Sequence, residues 1–348
     1  MIGVLQLINR KDNSGGVIPF GDLASSNILI GISKIVASTL VNHVYLTEIK
    51  ELFKSIVAMM SQAIDERSAY NKLHTQSVAR HTTNFAQWLA AKFDDEHPFH
   101  FNENRIDKIN MAALVHDIGK IITPLEVMNK ATRLGNRRQD IIYRFNLKFL
   151  QIENSHLRGE LTQADCEEEL DKYKQALEHI TELDQRNTLT EEDLVKIKNY
   201  ENLEYQDLEG QPKSILDESE IESLKIRQGN LTQAERRIME DHVVHTAKLL
   251  EKIKVWKYFK DVPRWASDHH ELLDGSGYPA GLKGGNIDIE TRIITISDIF
   301  DALTASDRPY KKSMSVEKSL EILYDMAEKG KLDKRLVALF AESKVWEL

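Results

Sequence analysis

Residues that can bind metal lie in helical segments far apart in this chain, and that separation is the strongest constraint on its fold. His116-Asp117 stands in the segment HDIGK, and His269-His270 stands in HHELLDGSGYP. A further carboxylate, Asp298, lies in a later helical pattern. Imidazole nitrogens and carboxylate oxygens bind first-row divalent metals, and clusters on separate helices can hold two neighbouring ions. We therefore expect the fold to join these helices around a multinuclear metal site suited to phosphoester hydrolysis.

Length and composition limit the class of protein. A chain of 348 residues, 41% hydrophobic and 29% charged, is typical of a soluble protein of about two domains. The single cysteine, Cys166, excludes an internal disulfide, so metal binding falls to His, Asp and Glu. We predict no membrane span, and the first residues lack the order of a signal peptide, which together predict a cytoplasmic protein.

The acidic charge of the chain is concentrated in one stretch. The formal net charge is -9, and residues 136–228 account for all of it with 13 Lys+Arg and 22 Asp+Glu. The rest of the chain is therefore neutral. No basic run or basic stripe with interleaved aromatics occurs, which argues against long nucleic acid as a partner. A small anionic substrate at a metal site remains compatible with this charge.

A long helix is predicted from Asp22 to about Asp65, because apolar residues recur there at near-heptad spacing. These residues are Ile28, Ile32, Ile35, Leu40, Val44, Leu52, Ile56 and Met59. Such a face needs a partner, either the rest of its own domain or a second copy in a parallel dimer that carries a signal. We favour the dimer.

The next helical pattern, from about Ala69, places His74 and His81 on one apolar face. The two histidines lie two turns apart, about 10 Å by helix rise, so a single ion cannot bind both. His74 is the better candidate because the rest of the constellation supports it.

A further helix is predicted to start near Asn104 and to point His116 inward from an apolar face. The neighbouring carboxylate of Asp117 can bridge two ions with its two oxygens. Gly119 is expected to end this helix and to leave Lys120 at the lip of the site, as a cation for a phosphate oxygen. Asp117 and Lys120 are the predicted catalytic residues.

Two later segments add histidines. A capping box from Thr232 to Glu235 begins a helix that carries His242 and His245 one turn apart, and one or both could approach an ion. The helix through Trp265 is expected to end in His269-His270. Adjacent imidazoles diverge by about 100° on a helix, which fits one ligand for each of two ions, or one ligand and one substrate contact.

The loop that follows and the next helix supply the remaining candidates. Gly277, Tyr278 and Pro279 form a tight turn that can bring backbone N–H groups and a phenol to the edge of the pocket as substrate contacts. Asp298 is the stronger carboxylate ligand, and Asp301 one turn later is expected to orient a ligand of the site. The predicted phosphate clamp is Arg308 with Lys311.

HDIGK, HHELLDGSGYPAGLKGGNI and RIITISDIFDALTASDRPYKK together resemble the HD-GYP family of cyclic di-GMP phosphodiesterases. The resemblance covers about residues 60–135 and 229–340 and implies an all-α HD-domain bundle. Its implied metal ligands are His74, His116, Asp117 and Asp298, with additional ligands His242, His269 and His270. Lys120, Arg308 and Lys311 would touch the nucleotide phosphates. The implied chemistry is hydrolysis of cyclic di-GMP to linear pGpG and/or GMP by water activated between two metals, usually iron or manganese.

Three domains are expected. Residues 1–21 resemble the end of a GAF sensor domain, residues 22–65 form the long helix, and residues 66–348 form the HD-GYP domain. An acidic insertion at about 136–228 interrupts that domain, with polar helices expected at 137–157, 162–186, 190–200 and 217–228. We expect a projecting helical hairpin, which serves either as a partner-binding arm or as a surface elaboration.

Metal count and activity each leave alternatives open. Tyr70 replaces a carboxylate that members with three metals carry, which favours two metals, whereas His245 adds a candidate ligand. The intact GSGYP turn favours an active hydrolase. The alternatives are a cyclic-dinucleotide receptor without turnover, and a hydrolase of another nucleotide such as cyclic GMP-AMP. A protein partner could bind the insertion or the GYP loop.

Overall fold

The computed structural model describes residues 11, 13–17, 23–68, 73–253, 259–305 and 313–348. The chain divides into two compact units, Met1–Met60 and Ser61–Leu348. The predicted GAF-like stretch falls mostly outside the described residues. In that stretch an antiparallel bridge joins Lys11 and Val17, and the GAF assignment stays a prediction.

The predicted all-α class is confirmed, because helices make up most of the described chain. The α-helices are α1 (Leu23–Asp65), α2 (His74–Lys92), α3 (Glu103–Val115), α4 (Leu125–Met128), α5 (Arg138–Leu157), α6 (Gln163–Gln185), α7 (Glu191–Tyr200), α8 (Glu218–Leu224), α9 (Gln233–Glu240), α10 (His242–Glu251), α11 (Val262–Ser267), α12 (Ile289–Thr304), α13 (Val316–Glu328) and α14 (Lys334–Ser343). Short 3₁₀ helices lie at Ile118–Ile121, Gly135–Arg137, Gly284–Asn286 and Val345–Glu347. Strands β1 (Glu204–Gln206) and β2 (Pro212–Ser214) form an antiparallel hairpin, with Tyr205 opposite Lys213.

Helix α1 is a single helix of 43 residues whose predicted apolar face is exposed. Its exposed side chains include Ile28, Ile35, Leu40 and Leu52. By length and composition, the segment Asn27–Asp65 is also a candidate membrane span. A single helix of this kind is weak evidence for a membrane span, so it does not overturn the prediction that the chain contains none. A helix that pairs with another helix has the same length and composition, so α1 by itself assigns no cellular location.

The helices of the unit Ser61–Leu348 enclose the proposed catalytic core. Helix α2 packs against α3 and α12. Helix α10 packs against α11 and against the 3₁₀ helix Ile118–Ile121, and α13 and α14 pack against α12. The buried apolar side chains of these helices include Val78, Phe85, Leu89, Ile109, Met111, Val243, Leu250, Ile293, Ile296, Phe300, Leu336 and Phe340. Each buried side chain of this size contributes about 1.5–3 kcal/mol relative to an exposed one. This packing brings the ends of α3 and α11 and the starts of α2 and α10 beside the middle of α12.

The insertion contains the four predicted helices, observed as α5, α6, α7 and α8. The expectation of a simple projecting hairpin is wrong, because these helices and the β1–β2 hairpin enclose a hydrophobic core of their own. Its buried residues are Leu134, Ile141, Phe145, Ile152, Cys166, Tyr173, Ala176, Ile180, Leu183, Leu189, Ile197, Leu203, Ile215, Leu216 and Leu224. A core of this size means that the insertion is a compact module, which a surface elaboration of polar helices would not require.

Arg133, at the start of the insertion, hydrogen-bonds to the backbone near its end and in its middle. Its guanidinium is fully buried and donates to the backbone carbonyls of Leu183 at 3.0 Å, Asn187 at 3.2 Å and Ile226 at 3.1 Å. Beside it, the ammonium of Lys130 lies 2.7 Å from a carboxylate oxygen of Glu235. These contacts join the segment before α5 to the segment around α9. The chain therefore leaves the catalytic core and returns to it at one place.

Candidate metal centre

Seven predicted ligands converge at one place in the core. His74 is the first residue of α2, His116 ends α3, His242 is the first residue of α10, and Asp298 lies in α12. Helix α11 ends at Ser267, earlier than expected, so His269 and His270 lie in the turn after it. The cluster consists of His74, His116, Asp117, His242, His269, His270 and Asp298. All but the half-buried His270 are buried.

Asp117 stands between two pairs of imidazoles. One of its oxygens, Oδ1, lies 3.2 Å from His242 Nε2 and 4.0 Å from His269 Nε2. The other oxygen, Oδ2, lies 3.3 Å from His116 Nε2 and 3.6 Å from His74 Nε2. Each oxygen of a carboxylate can bind a different ion. The arrangement therefore matches the predicted bridge.

Asp298 and Asp301 approach His74 from α12. Asp298 Oδ1 lies 3.1 Å from His74 Nε2, and its Oδ2 lies 3.9 Å from His270 Nδ1. His74 Nδ1 makes a 2.7 Å hydrogen bond with Asp301 Oδ2. Asp301 thus holds the ring of His74, which agrees with the orienting role expected from the sequence. A carboxylate on the far nitrogen of a histidine fixes the ring and makes the near nitrogen a better ligand.

Buried nitrogens without a hydrogen-bond partner test whether these residues fit a metal. The Nδ1 atoms of His116, His242 and His269 each lie 2.6–2.7 Å from the backbone carbonyl three residues earlier. A carbonyl can only accept, so each Nδ1 carries the proton and each Nε2 presents a lone pair. These three Nε2 atoms and Asp117 Oδ1 are buried and have no hydrogen-bond partner. Unpaired buried acceptors are costly, so their convergence fits a bound cation.

Among the residues that the structure describes, three groups of side chains meet the spacing for one ion each, with ligand atoms within 4.8 Å of one another. These groups are His242 with His269 and His270, His74 with His116 and Asp298, and His116 with Asp117 and His269. They share members, because His116 and His269 each belong to two groups. The donor set is therefore compatible with two neighbouring ions and also leaves room for a third.

The electrostatics of the cluster also favour positive charge. Burial raises the pKa of Asp117, but Lys120 and His116 outweigh it and hold this pKa well below its usual value. Burial lowers the pKa of His74, yet hydrogen bonds to Asp298 and Asp301 raise it overall to about 10. Burial lowers the pKa of His270 to about 4. The charged Asp117 and the neutral His270 are in the protonation states that metal binding requires, whereas His74 would exchange its proton for a bound cation.

Gly119 allows α10 to approach the turn that carries Asp117. Sequence reasoning expected this glycine to end a helix, but the helix ends at Val115. A Cβ at Gly119 would lie 1.9 Å from the backbone carbonyl of His242 and 2.6 Å from the amide of Thr246. The Thr246 hydroxyl donates to the His116 carbonyl at 3.0 Å and accepts from the Gly119 amide at 3.0 Å. The motif therefore needs glycine here so that His242 can reach Asp117.

The later part of this constellation matches a known family. Residues 218–336 match the HD domain, and they contain His242, His269, His270 and Asp298. This part of the chain is therefore similar to the HD domain. The match does not reach His74 or His116-Asp117, which the fold brings to the same place.

Several similar proteins are named as phosphodiesterases of cyclic dinucleotides. The chain is 46% identical over 95 residues to a 3'3'-cGAMP-specific phosphodiesterase 3 of Vibrio cholerae, a match that covers 27% of the chain and 20% of the relative. It is 38% identical over 117 residues to the cyclic di-GMP phosphodiesterase response regulator RpfG of Xanthomonas campestris, covering 33% and 30%. A cyclic di-GMP phosphodiesterase of Thermotoga maritima is 33% identical over 106 residues, covering 30% and 28%. The chain thus spans between a fifth and a third of the length of these curated relatives.

Lys120 and the GYP turn, which consists of Gly277, Tyr278 and Pro279, form the predicted lip of the metal cluster. Lys120 Nζ lies 2.5 Å from Asp117 Oδ2 and is partly exposed. The Tyr278 ring packs against the His270 ring with centroids 4.8 Å apart, while Pro279 is exposed. Burial, and next the charge of Glu240, raise the pKa of Tyr278, so its phenol stays protonated. A cation and a phenol therefore border the metal cluster.

The turn before Tyr278 approaches the backbone of the histidine pair closely. A Cβ at Gly277 would lie 2.4 Å from the His270 carbonyl and 2.4 Å from the Leu272 amide. The Tyr278 amide donates to the same His270 carbonyl at 3.2 Å. Gly277 therefore allows this close approach, and its substrate contact stays a prediction.

Glu271 is a residue that sequence reasoning missed, although it directly follows the histidine pair. Its carboxylate is buried and accepts three backbone N–H groups of the loop: Ala280 at 2.6 Å, Gly281 at 3.1 Å and Leu282 at 2.8 Å. The loop is thereby folded back so that Tyr278 faces His270. A charged residue beside the pair was the available signal, but nothing in the local sequence identified the N–H groups that donate to it.

Glu271→Ala is expected to lower catalytic activity about 10–100-fold, the usual cost of losing a group that holds site residues in place. The reason is that three loop N–H groups lose their acceptor and Tyr278 is no longer held against His270. Steady-state kinetics and limited proteolysis of the loop check this. Asp274→Asn is the matched control, because this exposed carboxylate of the same loop bonds Ser276. Full activity in Glu271→Ala would contradict the assigned role.

The remaining predicted residues lie apart from the cluster or outside the described residues. Arg308, Lys311 and Tyr70 belong to segments that the structure does not describe. His81 is buried and packs edge-on against Phe300, with ring centroids 5.7 Å apart. His245 is partly buried and belongs to none of the candidate ion groups found among the described residues.

Proposed function

We propose that this chain is a metal-dependent phosphodiesterase that hydrolyses a cyclic dinucleotide. The observation that carries the proposal is the position of Asp117, whose two oxygens face two different pairs of histidines at 3.2–4.0 Å. A bridging carboxylate between two imidazole pairs is a suitable holder for two divalent ions, and paired ions are suited to phosphodiester hydrolysis. The named activities of the similar proteins support the same reaction class.

The proposed ligands are the seven clustered residues, and iron or manganese fits their mixture of imidazole and carboxylate. Two such ions would activate a water molecule and neutralise the charge that develops on the phosphate. The chain supplies the rest: Asp117 and Asp298 balance the positive charge, and Asp301 holds the ring of His74. A third ion at His242, His269 and His270 remains part of the proposal, since these side chains also meet the spacing for one ion.

Substrate binding is assigned to the lip of the site. Lys120, partly exposed beside Asp117, is placed to bind a phosphate oxygen as a point charge. Tyr278 can donate a hydrogen bond from its protonated phenol and cover the reacting phosphate from water. Gly277 and Pro279 shape this edge. Arg308 and Lys311 stay predicted phosphate contacts, because a guanidinium fork and an ammonium suit a phosphodiester.

Within this class, we propose cyclic di-GMP as the substrate and linear pGpG and/or GMP as the product. Cyclic GMP-AMP is the second candidate, since similar proteins named for each dinucleotide match this chain. A receptor that binds without turnover is the other alternative, and the charged carboxylates and free imidazoles argue against it. A site specialised for binding alone would not need unpaired metal-binding nitrogens.

Metal analysis of anaerobically purified protein, coupled to product chromatography, tests the proposal. The protein is incubated with cyclic di-GMP or 3'3'-cGAMP, with Fe²⁺ or Mn²⁺ added. We expect about two ions per chain and linear dinucleotide or mononucleotide product. Comparing the two substrates at equal concentration assigns the preference. Tight nucleotide binding with metal but no product would identify a receptor, and absence of both metal and binding would contradict the proposal.

We also propose that α1 pairs with α1 of a second copy. Its exposed side chains at near-heptad spacing, including Leu40 at 47% and Leu52 at 62% exposure, support a helical pairing face. A cytoplasmic location and a protein partner at the insertion or the GYP loop stay predictions.

The pairing predicts a dimer at micromolar concentration and its loss in Leu52→Glu, because two carboxylates would then meet in an apolar seam. Sedimentation equilibrium measures both. Thr47→Glu is the control, since this exposed residue is out of heptad register with Ile28, Ile35 and Ile56 and lies about 140° around the helix from Leu52. A wild-type monomer, or equal dissociation in both variants, would contradict the pairing.

A further inference from the structure

The last turn of α1 contacts the two segments that carry the metal-binding motifs. This turn and the residues just after it, Ser61 to Arg67, belong to the same compact unit as the metal cluster. Ser61 and Asp65 are each only 4% exposed. Neither takes part in the candidate ion groups, so their burial beside those groups calls for another explanation.

Asp65 supplies the missing cap of α2. Helix α2 begins at His74, and its own N-cap residue, Leu73, has no side chain that can accept a hydrogen bond. The carboxylate of Asp65 accepts the Thr75 amide at 3.1 Å and the Thr75 hydroxyl at 2.9 Å. A carboxylate at the N-terminus of a helix satisfies unpaired N–H groups and complements the helix dipole. Because His74 and Thr75 are adjacent, the bond to Asp65 fixes the backbone that presents the His74 imidazole.

Arg67 and Ser61 hold the other motif in a similar way. The Arg67 guanidinium donates to the backbone carbonyls of Ile121 at 2.5 Å and Lys120 at 3.4 Å. The Ser61 hydroxyl donates to the Leu114 carbonyl at 2.5 Å. These carbonyls lie on either side of His116-Asp117. The end of α1 therefore hydrogen-bonds to the backbone on both sides of Asp117.

We infer that Asp65 and Arg67 are positioning residues for the metal centre, which set the distance between His74 on one side and Asp117 with Lys120 on the other. The inference rests on the proposed function, because it assigns a role at the same site. His74 Nε2 and Asp117 Oδ2 are 3.6 Å apart, and they belong to segments held by the same turn of α1. A displacement of that turn would change this distance. The end of α1 is thus the place where a signal carried along the helix would reach the chemistry.

Substitutions at Asp65 separate positioning from simple stability. Asp65→Ala removes both acceptors for Thr75. Asp65→Asn retains both contacts, because its amide oxygen can accept the Thr75 N–H while its NH₂ donates to the Thr75 hydroxyl. Arg67→Ala removes the hydrogen bonds to the backbone carbonyls of Lys120 and Ile121. Gln62→Ala is the matched control, since this side chain is exposed on the same turn.

The measurements are Mn²⁺ affinity by electron paramagnetic resonance, steady-state kinetics with cyclic di-GMP, and the unfolding temperature. We expect Asp65→Ala to weaken Mn²⁺ binding about 10–100-fold and to lower kcat, as for other groups that hold ligands in place. KM should stay near the wild-type value, because the lip is unchanged. Asp65→Asn should restore both affinity and kcat, and Arg67→Ala should lower kcat. Gln62→Ala should match the wild type.

The outcomes distinguish this inference from the proposed function. If Asp65→Ala lowers the unfolding temperature but leaves Mn²⁺ affinity and kcat unchanged, Asp65 is only a helix cap and the inference fails. If the wild type binds Mn²⁺ but hydrolyses no cyclic dinucleotide, the proposed function fails, while the affinities of the variants still decide the positioning role. A wild type that binds no Mn²⁺ would overturn both.

Discussion

Asp117→Ala is expected to lose its bound ions and to reduce hydrolysis of a cyclic dinucleotide to the detection limit. Asp117 is the side chain within 4.0 Å of four cluster imidazoles, those of His242, His269, His116 and His74. Losing it removes a ligand from two proposed ions and leaves those imidazoles without a shared anion. The effect should exceed the roughly 100-fold upper range for groups that only support a ligand. Inductively coupled plasma mass spectrometry and product chromatography measure metal and turnover.

Asp117→Asn serves as a control for folding, because it preserves the shape of the side chain and removes its charge. We expect this variant to fold, as judged by circular dichroism, and to bind metal poorly. An Asp117→Ala protein with two ions and normal turnover would show that the metal site is wrongly assigned. Loss of turnover with both ions retained would instead assign Asp117 to a role in proton transfer alone.

Gly119→Ala is expected to separate the Asp117 turn from α10 and to abolish metal binding at His242. The added Cβ would lie 1.9 Å from the His242 carbonyl and 2.8 Å from the Thr246 hydroxyl. Two backbones cannot absorb such an overlap without moving apart, and overpacking of this kind typically costs about 1–3 kcal/mol. The movement would lengthen the 3.2 Å distance between His242 Nε2 and Asp117 Oδ1. Thermal unfolding and metal content measure the two effects.

Gly285→Ala is the matched control for this substitution. A Cβ at Gly285 would meet no atom within 4 Å, so stability and metal content should stay at wild-type values. Gly119→Ala with unchanged metal content would mean that the close approach of α10 is not needed to place His242. That result would remove the physical reason for glycine in HDIGK.

The sequence predicted the candidate site well because its residues lie in short, recognisable motifs. His116-Asp117 and His269-His270 each identify themselves as pairs, and Asp298 follows in a regular helical pattern. The capping box at Thr232 and Glu235 is confirmed, with the Thr232 side chain accepting the Glu235 amide at 3.2 Å. Such features depend on neighbours within one or two helical turns, which the sequence displays directly.

The residues that support the site could not be predicted in the same way. Asp65 is ten residues from Thr75, Thr246 is 130 residues from His116, and Arg67 bonds carbonyls more than 50 residues away. An isolated Asp, Thr or Arg carries no local sign of such a partner. Their roles appear only when packing sets which backbone groups lack hydrogen bonds nearby.

The insertion shows both sides of this division. Its helices were predicted from their helical pattern of polar and apolar residues, and in the structure α7 begins at a capping box of Thr190 and Asp193. Its core was not predicted, because the apolar residues are spread thinly among many charges. Phe145, Ile180 and Leu216 come together only when separate helices pack. Arg133 then joins the ends through carbonyls that the sequence does not single out.

By itself the sequence determined the helical class, the elements and the residues that can bind metal, because helix periodicity and ligand chemistry act over short distances. Tertiary structure alone decided that Asp117 lies between two pairs of imidazoles and that Asp65 and Arg67 hold their backbones. It also decided that Glu271 folds the GYP turn onto His270. The physical reason is that burial creates these relations: a buried nitrogen, amide or carboxylate must find its partner wherever packing places one.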